Sequence, residues 1–189
     1  VSAIIAIIAT IFALAFDSSF GGIFTLRSMG SITPLAMPCI VVFIALFAPE
    51  TIACMVALVL GALVDLAPGH SELAGGAYLI GPYALGFFVS TILILKVRNV
   101  VFRRKVFTVA VLTVGVVLVT GSAEALVLVV RGFLPWTEPL KGAGFSELAK
   151  LCGTAIYSGV LAVPLGWSLL ATIGMWKFHS PTGRRATWR

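Results

Sequence analysis

The chain has 189 residues, 60% of them apolar and 11% charged, and its 13 Lys and Arg against 7 Asp and Glu leave a net charge of +6. Residues 1–16, 28–49, 51–64, 73–95, 106–123 and 151–176 contain no Asp, Glu, Lys or Arg, whereas a soluble domain carries about 25% charge and a bilayer-spanning helix needs ~20 mostly apolar residues. This composition points to an all-α, polytopic integral membrane protein of about six transmembrane helices, and away from soluble enzymes, DNA-binding modules and secreted disulfide scaffolds.

The first predicted span covers residues 1–16. It resembles the core of a signal peptide, with Ala13-Leu14-Ala15 as a cleavage-like site, but no basic stretch is visible ahead of it and it is read as an uncleaved helix. In the 17–33 connector, Phe20, Ile23, Phe24 and Arg27 follow the i, i+3, i+4, i+7 spacing of a short amphipathic turn at the membrane interface. An ordinary connector with stray aromatics is the alternative. The second and third spans, 34–48 and 51–67, are separated by Pro49 and Glu50 and form a tight helical hairpin. Spans four to six follow at 75–95, 106–128 and 148–176, the last long enough to tilt. Gly81-Pro82 and Gly86 are expected to interrupt span four, and Gly159, Pro164 and Gly166 span six. Such breaks either line a transporter site or serve as plain packing kinks. The organisation is one transmembrane helical domain over 1–178 and a basic cytoplasmic tail over 179–189, with no internal repeat.

Orientation follows from the basic residues, which concentrate on the cytoplasmic side of membrane proteins. Lys96, Arg98, Arg103, Arg104 and Lys105 crowd the 96–105 loop, and Lys177, Arg184, Arg185 and Arg189 follow the last span. Two spans separate the clusters, so both are cytoplasmic together, and so is the N-terminus. The 67–75 and 131–147 loops are then external. This pattern accounts for the positive charge without nucleic acid. Cys39, Cys54 and Cys152 are isolated in apolar segments and read as buried small hydrophobes.

Ionisable groups within spans are costly, about 2.5–3.5 kcal/mol at mid-helix, and mark functional candidates. Asp65 ends the run Gly61-Ala62-Leu63-Val64-Asp65-Leu66, at a helix C-terminus where the macrodipole disfavours an anion. Ala53, Ala57, Gly61 and Asp65 recur every fourth residue, a stripe on which membrane helices approach closely. Asp65 therefore reads either as a hydrated acid before the Pro68-Gly69 turn or as a buried anchor for a neighbouring helix or partner. Glu124 lies roughly 27 Å along its helix from Val106, near the outer interface, where it is a solvated helix end or shares a polar contact with Asp65. Catalysis finds little support. His70 and His179 fall outside the spans, Asp17 lies in a connector, and Ser90, Ser158 and Ser168 have no plausible base. No enzyme activity, metal or cofactor is expected.

From about Pro34 to Phe178 the chain resembles the bacterial rod shape-determining protein MreD family. The resemblance rests on Gly61-Ala62-Leu63-Val64-Asp65-Leu66, similar to that family's Gly-x-x-x-Asp-Leu pattern, and on the short Pro/Gly loop that follows it. A Gly-rich fourth span with Tyr83 and Gly86, a basic loop with Arg98-Asn99, then Glu124 and a basic tail complete the order. The 17–33 connector is longer than the family pattern, and span five lacks an Asp, for which Glu124 stands in. The resemblance implies an S-component-like helical bundle in the bacterial cytoplasmic membrane, acting as a non-enzymatic scaffold of the cell-elongation machinery. It implies as partners an MreC-like protein, the MreB cytoskeleton, and RodA with its penicillin-binding transpeptidase. Asp65 and its stripe would then support folding or a helix contact, and Arg103-Arg104-Lys105 would meet anionic lipid or a cytoplasmic partner. The related alternative is a substrate-binding S component of a vitamin or small-molecule transporter, which needs a pocket near the outer face lined by aromatics and polar groups; Trp136 in the outer loop could serve one, whereas Trp167 and Trp176 lie in the last span, toward the inside.

Overall fold

A computed structural model describes residues 3–20, 23–25, 32–67, 81–98, 105–132 and 145–176. Every regular element among them is helical: α1 (Ala3–Ala15), running into a π turn (Phe16–Phe20), α2 (Met37–Phe47), α3 (Glu50–Leu66), α4 (Pro82–Val97), α5 (Val106–Gly132) and α6 (Phe145–Ala171), which a 3-10 turn (Ile173–Trp176) closes. The helices follow the order of the six apolar runs. Their ends differ. Helix α4 begins at Pro82, with Gly81 outside the helix at φ +129°, and residues 75–80 of the expected fourth span lie outside the described residues. Proline's missing N–H and fixed φ suit the first turn of a helix. Helix α6 runs unbroken through Pro164, and Gly159 and Gly166 lie against Val114 and Val109 of α5. These residues permit close contact and do not break the helix.

Lengths divide the helices into two groups. The segments Val106–Val127 and Leu148–Ala171 are long and apolar enough to cross a membrane. Helix α2, with 11 residues, extends only about 16 Å. All of Met37 to Leu46 is buried, so α2 is a central rod wrapped by the other helices, and its sequence shows no polar face because it has no solvent face. At its C-terminal end Phe43 meets Phe47 and Trp176, each at a ring distance of 5.0 Å. Trp176 is buried and its Nε1–H donates to Thr172 Oγ1 at 3.2 Å, plugging that end of the bundle. Trp167, also in the last predicted span, is exposed.

The surrounding helices show their apolar side chains outward. Ile7, Ile8, Ile11 and Phe12 of α1, Met55, Val59 and Leu66 of α3, Leu85, Val89 and Leu93 of α4, Phe107, Val111 and Leu126 of α5, and Ile156, Val160 and Trp167 of α6 are exposed. Polar side chains lie inside: Thr10, Asp65, Ser90, Thr91, Thr113, Thr120 and Ser158 are all buried. A soluble monomer rarely leaves more than a few hundred Å² of contiguous apolar surface uncovered. Among the cysteines, Cys39 is buried, Cys54 half-buried and Cys152 exposed, so the expectation of three buried thiols is corrected for Cys152: its position on α6 turns away from the neighbouring helices. In the 17–33 connector, Ile23 and Phe24 are exposed and Phe24 stacks on Phe16 at 6.1 Å; Arg27 lies outside the described residues, as do His70, Trp136, Arg103, Arg104 and the 179–189 tail.

Candidate functional site

Helix α3 turns its small residues inward. Ala53, Ala57, Gly61 and Asp65 are buried, while Ile52, Met55, Val59, Leu63 and Leu66 on the other faces are exposed. Gly61 marks the closest approach. A Cβ there would stand 2.4 Å from Ala84 Cα and 2.7 Å from the Tyr83 carbonyl oxygen, both backbone atoms of α4. With only a hydrogen at that position, the two backbones touch and Asp65, one turn further on, reaches the start of α4.

There Asp65 acts as a cap supplied by a different helix. Its Oδ2 accepts from Gly81 N–H at 2.9 Å and Ala84 N–H at 3.2 Å, and its Oδ1 accepts from Tyr83 N–H at 3.1 Å. The first amides of a helix have no partner within it, and α4 has no side-chain cap of its own. The carboxylate satisfies them and sits at the positive end of the α4 dipole. This also answers the conflict read from the sequence. Asp65 is badly placed for the dipole of α3 and well placed for that of α4.

A second carboxylate repeats the device. Asp17, in the π turn after α1, accepts from Ala36 N–H at 2.6 Å and Met37 N–H at 3.1 Å, while Ser158 Oγ of α6 accepts from Leu35 N–H at 2.9 Å. The first amides of α2 are thus held by α6 and by the end of α1. Burial pushes the Asp17 carboxyl up to about 6, against the opposing effect of the Ala36 and Met37 amide bonds.

Glu124, half-buried on α5, lies near Tyr83 and near enough to Asp65 for the two charges to repel. Asp65, Tyr83 and Glu124 therefore gather where α3 ends, α4 begins and α5 passes. Tyr83 also feels Asp17, so all three acids face one end of the bundle. Among the described residues no group of three or more His, Cys, Asp and Glu could hold a metal ion. The serines considered for catalysis are engaged with backbone: Ser90 donates to the Gly86 carbonyl and Ser168 to the Leu165 carbonyl, each at 2.7 Å.

At the opposite end Arg98 folds back onto the α2–α3 corner. Its guanidinium donates to the Ala48 carbonyl at 3.1 Å and to Glu50 Oε1 at 2.9 Å. A cation there meets the negative C-terminus of α2, and Glu50 meets the positive N-terminus of α3. Arg98 therefore belongs to an internal clamp, whereas the sequence placed it with the basic loop; Lys105 is exposed at the start of α5. The Arg98 side chain is 14% exposed and that of Glu50 69%, and an ion pair with one partner so exposed is worth ~1 kcal/mol at most. Glu50→Ala is accordingly expected to change stability by less than about 0.5 kcal/mol, and Arg98→Ala by about 1–2 kcal/mol through the orphaned Ala48 carbonyl. Detergent-solubilised unfolding curves of the two variants give the comparison.

An open cleft of about 480 Å³ separates α1 from α3, lined by Ile11, Leu14, Ala15, Ser18, Leu63, Leu66 and Ala67. Among the described residues, Ser18 supplies its only polar side chain. Sequence reasoning identified Asp65 and Glu124 but not the roles of Tyr83 and Asp17. The amides that Asp17 caps are 19 and 20 residues away, a pairing with no local signature. No protein-family model, curated protein or solved structure matches the chain.

Proposed function

We propose that this protein is a multi-pass helical scaffold of the bacterial cytoplasmic membrane, similar to the MreD family, that helps position side-wall peptidoglycan synthesis. The observation that carries the membrane part is the inverted distribution of side chains. Isoleucine, leucine, valine and phenylalanine face outward on five helices, while threonine, serine and aspartate lie inside. In lipid the outward residues are solvated and the small inward ones let helices approach. In water the same surface would drive aggregation. The short α2 is compatible with this reading, because the other helices enclose it and it need not meet the full ~30 Å of hydrocarbon.

The scaffold part rests on the MreD-like Gly61-to-Leu66 segment and on the work that segment does. Gly61 and Asp65 join α3 to α4 through backbone contact and three amide bonds. That is the chemistry of a fixed joint, suited to presenting a rigid surface to MreC-like, RodA-like and transpeptidase partners. The S-component reading asks for polar groups around a small ligand, and the α1–α3 cleft offers Ser18 among apolar side chains. We therefore place the chain with the scaffolds and assign it no reaction.

Both basic clusters are cytoplasmic in this arrangement. Reporter fusions at residue 100 and after residue 180 are expected to read cytoplasmic, and a fusion at residue 140 external. An external C-terminal reporter is incompatible with six spans. Depletion is expected to round the cells without creating a vitamin requirement, and the tagged protein to co-purify with a single-span MreC-like protein. Normal rods after depletion, together with nanomolar binding of thiamine, riboflavin or biotin, would move the assignment to the transporter class.

A further inference from the structure

Helices α3 and α4 are tied to each other at both ends. At one end Asp65 holds the Gly81, Tyr83 and Ala84 amides, and at the other Arg98 holds the Ala48 carbonyl and Glu50. Extended backbone at Pro49 and Ala67 bounds α3, and Gly81 at φ +129° bounds the start of α4. With 17 and 16 residues, the pair is about 25 Å long. Its outward apolar band is shorter still. On α3 the band runs from Ile52 to Leu66, ~21 Å, and Glu50 just before it is 69% exposed. On α4 it runs from Leu85 to Leu93, ~12 Å, and the exposed Lys96 follows.

Helix α5, which returns alongside α4, is built to a different length. Gly86 packs against Thr120, so α5 passes the level of Pro82 about one turn beyond Thr120. It continues to Gly132, ~12 Å past the corner where α3 ends and α4 begins. Leu126, Val129 and Val130 are exposed on that extension. From Phe107 to Val130 the exposed apolar band of α5 covers ~35 Å. A flat hydrocarbon core of ~30 Å suits α5 and overshoots the α3 band by ~9 Å. Tilting does not remove the excess, because it lowers the vertical reach of α3 while the Gly86–Thr120 contact keeps α4 beside α5. Sinking the pair would carry the exposed Glu50 into hydrocarbon. A bilayer meets a short apolar band by thinning.

The chemistry of the face says what covers it. Every exposed residue of α3 from Ile52 to Leu66, and of α4 from Leu85 to Leu93, is Ile, Met, Val or Leu. The small residues on which membrane helices meet one another are turned inward on α3. The cleft between α1 and α3 is open, which leaves Leu63 and Leu66 within reach of acyl chains. We propose that this protein thins the bilayer beside α3 and α4, where phospholipid chains form a hydrocarbon layer of about 20 Å, while α5 and α6 keep the ordinary thickness. The inference rests on the membrane-spanning part of the proposed function and adds to the scaffold an action on the lipid itself.

The test uses the full chain carrying Cys54→Ala and Cys152→Ala, reconstituted in dioleoylphosphatidylcholine vesicles; the buried Cys39 is left in place. Nitroxides are attached singly at Ile52→Cys, Leu66→Cys, Phe107→Cys and Leu126→Cys. Their depths below the hydrocarbon boundary are read from collisions with oxygen and with a water-soluble nickel complex. The two α3 depths are expected to sum to nearly zero, as are those of the α5 pair, whose labels stand ~29 Å apart along the helix. A flat bilayer gives an α3 sum of about 9 Å, and that result overturns the proposal. Leu85→Cys on α4 reads the same outer edge where Leu66→Cys does not fold. A label at Val59→Cys that is shielded from oxygen, or broadened by a second spin, identifies protein on this face and also overturns it. A chain that alkaline carbonate washes from the vesicles removes the membrane reading and this inference together. A 9 Å sum in an inserted chain removes this inference alone.

Discussion

Gly61→Ala is expected to destabilise the folded chain by about 2–3 kcal/mol, and Gly61→Leu to prevent α3 and α4 from closing. The obstacle is backbone. The new Cβ would meet Ala84 Cα at 2.4 Å, Ala84 N at 2.6 Å and the Tyr83 carbonyl oxygen at 2.7 Å, none of which can rotate away as a side chain does. Relief requires the helices to separate, which also pulls Asp65 from the amides it caps. Gly115→Ala is the control: nothing lies within 4 Å of a Cβ at Gly115, and replacing a mid-helix glycine is worth up to ~1 kcal/mol of added stability. Leu60→Ile, buried but close to isosteric, is expected to cost less than about 1.5 kcal/mol. Unfolding of the purified variants in detergent, read alongside recovery of the MreC-like partner, gives the order. Normal stability and normal partner recovery for Gly61→Leu would show that the stripe faces lipid.

Asp65→Ala is expected to cost about 3 kcal/mol. The change leaves Gly81, Tyr83 and Ala84 with amides that no residue in α4 caps. Asp65→Asn keeps one acceptor oxygen and is expected to lose about half as much. From the stripe alone, loss of Asp65 is expected to matter less than bulk at Gly61, because one interhelical polar contact in a membrane averages ~0.6 kcal/mol. Three amide donors on one carboxylate change that comparison, since bonds to a charged group run ~1.5–3 kcal/mol. The two variants are therefore expected to be similarly damaging, with a distinguishing signature. Hydrogen exchange in Asp65→Ala is expected to rise first at the start of α4, near residues 83–86, and in Gly61→Ala along the whole α3–α4 contact. Uniform exchange in Asp65→Ala would mean the cap does not localise its effect.

The number and order of the helices were legible because each needs an apolar run of its own, and such runs are local. The α3 stripe was legible for the same reason: four-residue spacing puts Ala53, Ala57, Gly61 and Asp65 on one face whatever that face meets. Which helix would meet it was not. Asp65 contacts residues 16 to 19 positions away and Arg98 residues 48 and 50 positions away, and these pairings exist only once particular helices have become neighbours. The sequence grouped Arg98 with a basic loop because charge density is local, whereas its acceptor, the Ala48 carbonyl, is a backbone atom present at every residue. Helix α2 is the clearest case. Its uniform hydrophobicity permits either a lipid-facing span or a central rod, and periodicity cannot separate the two when no face is polar. Only the enclosure of Met37 to Leu46 by neighbouring helices decides for the rod.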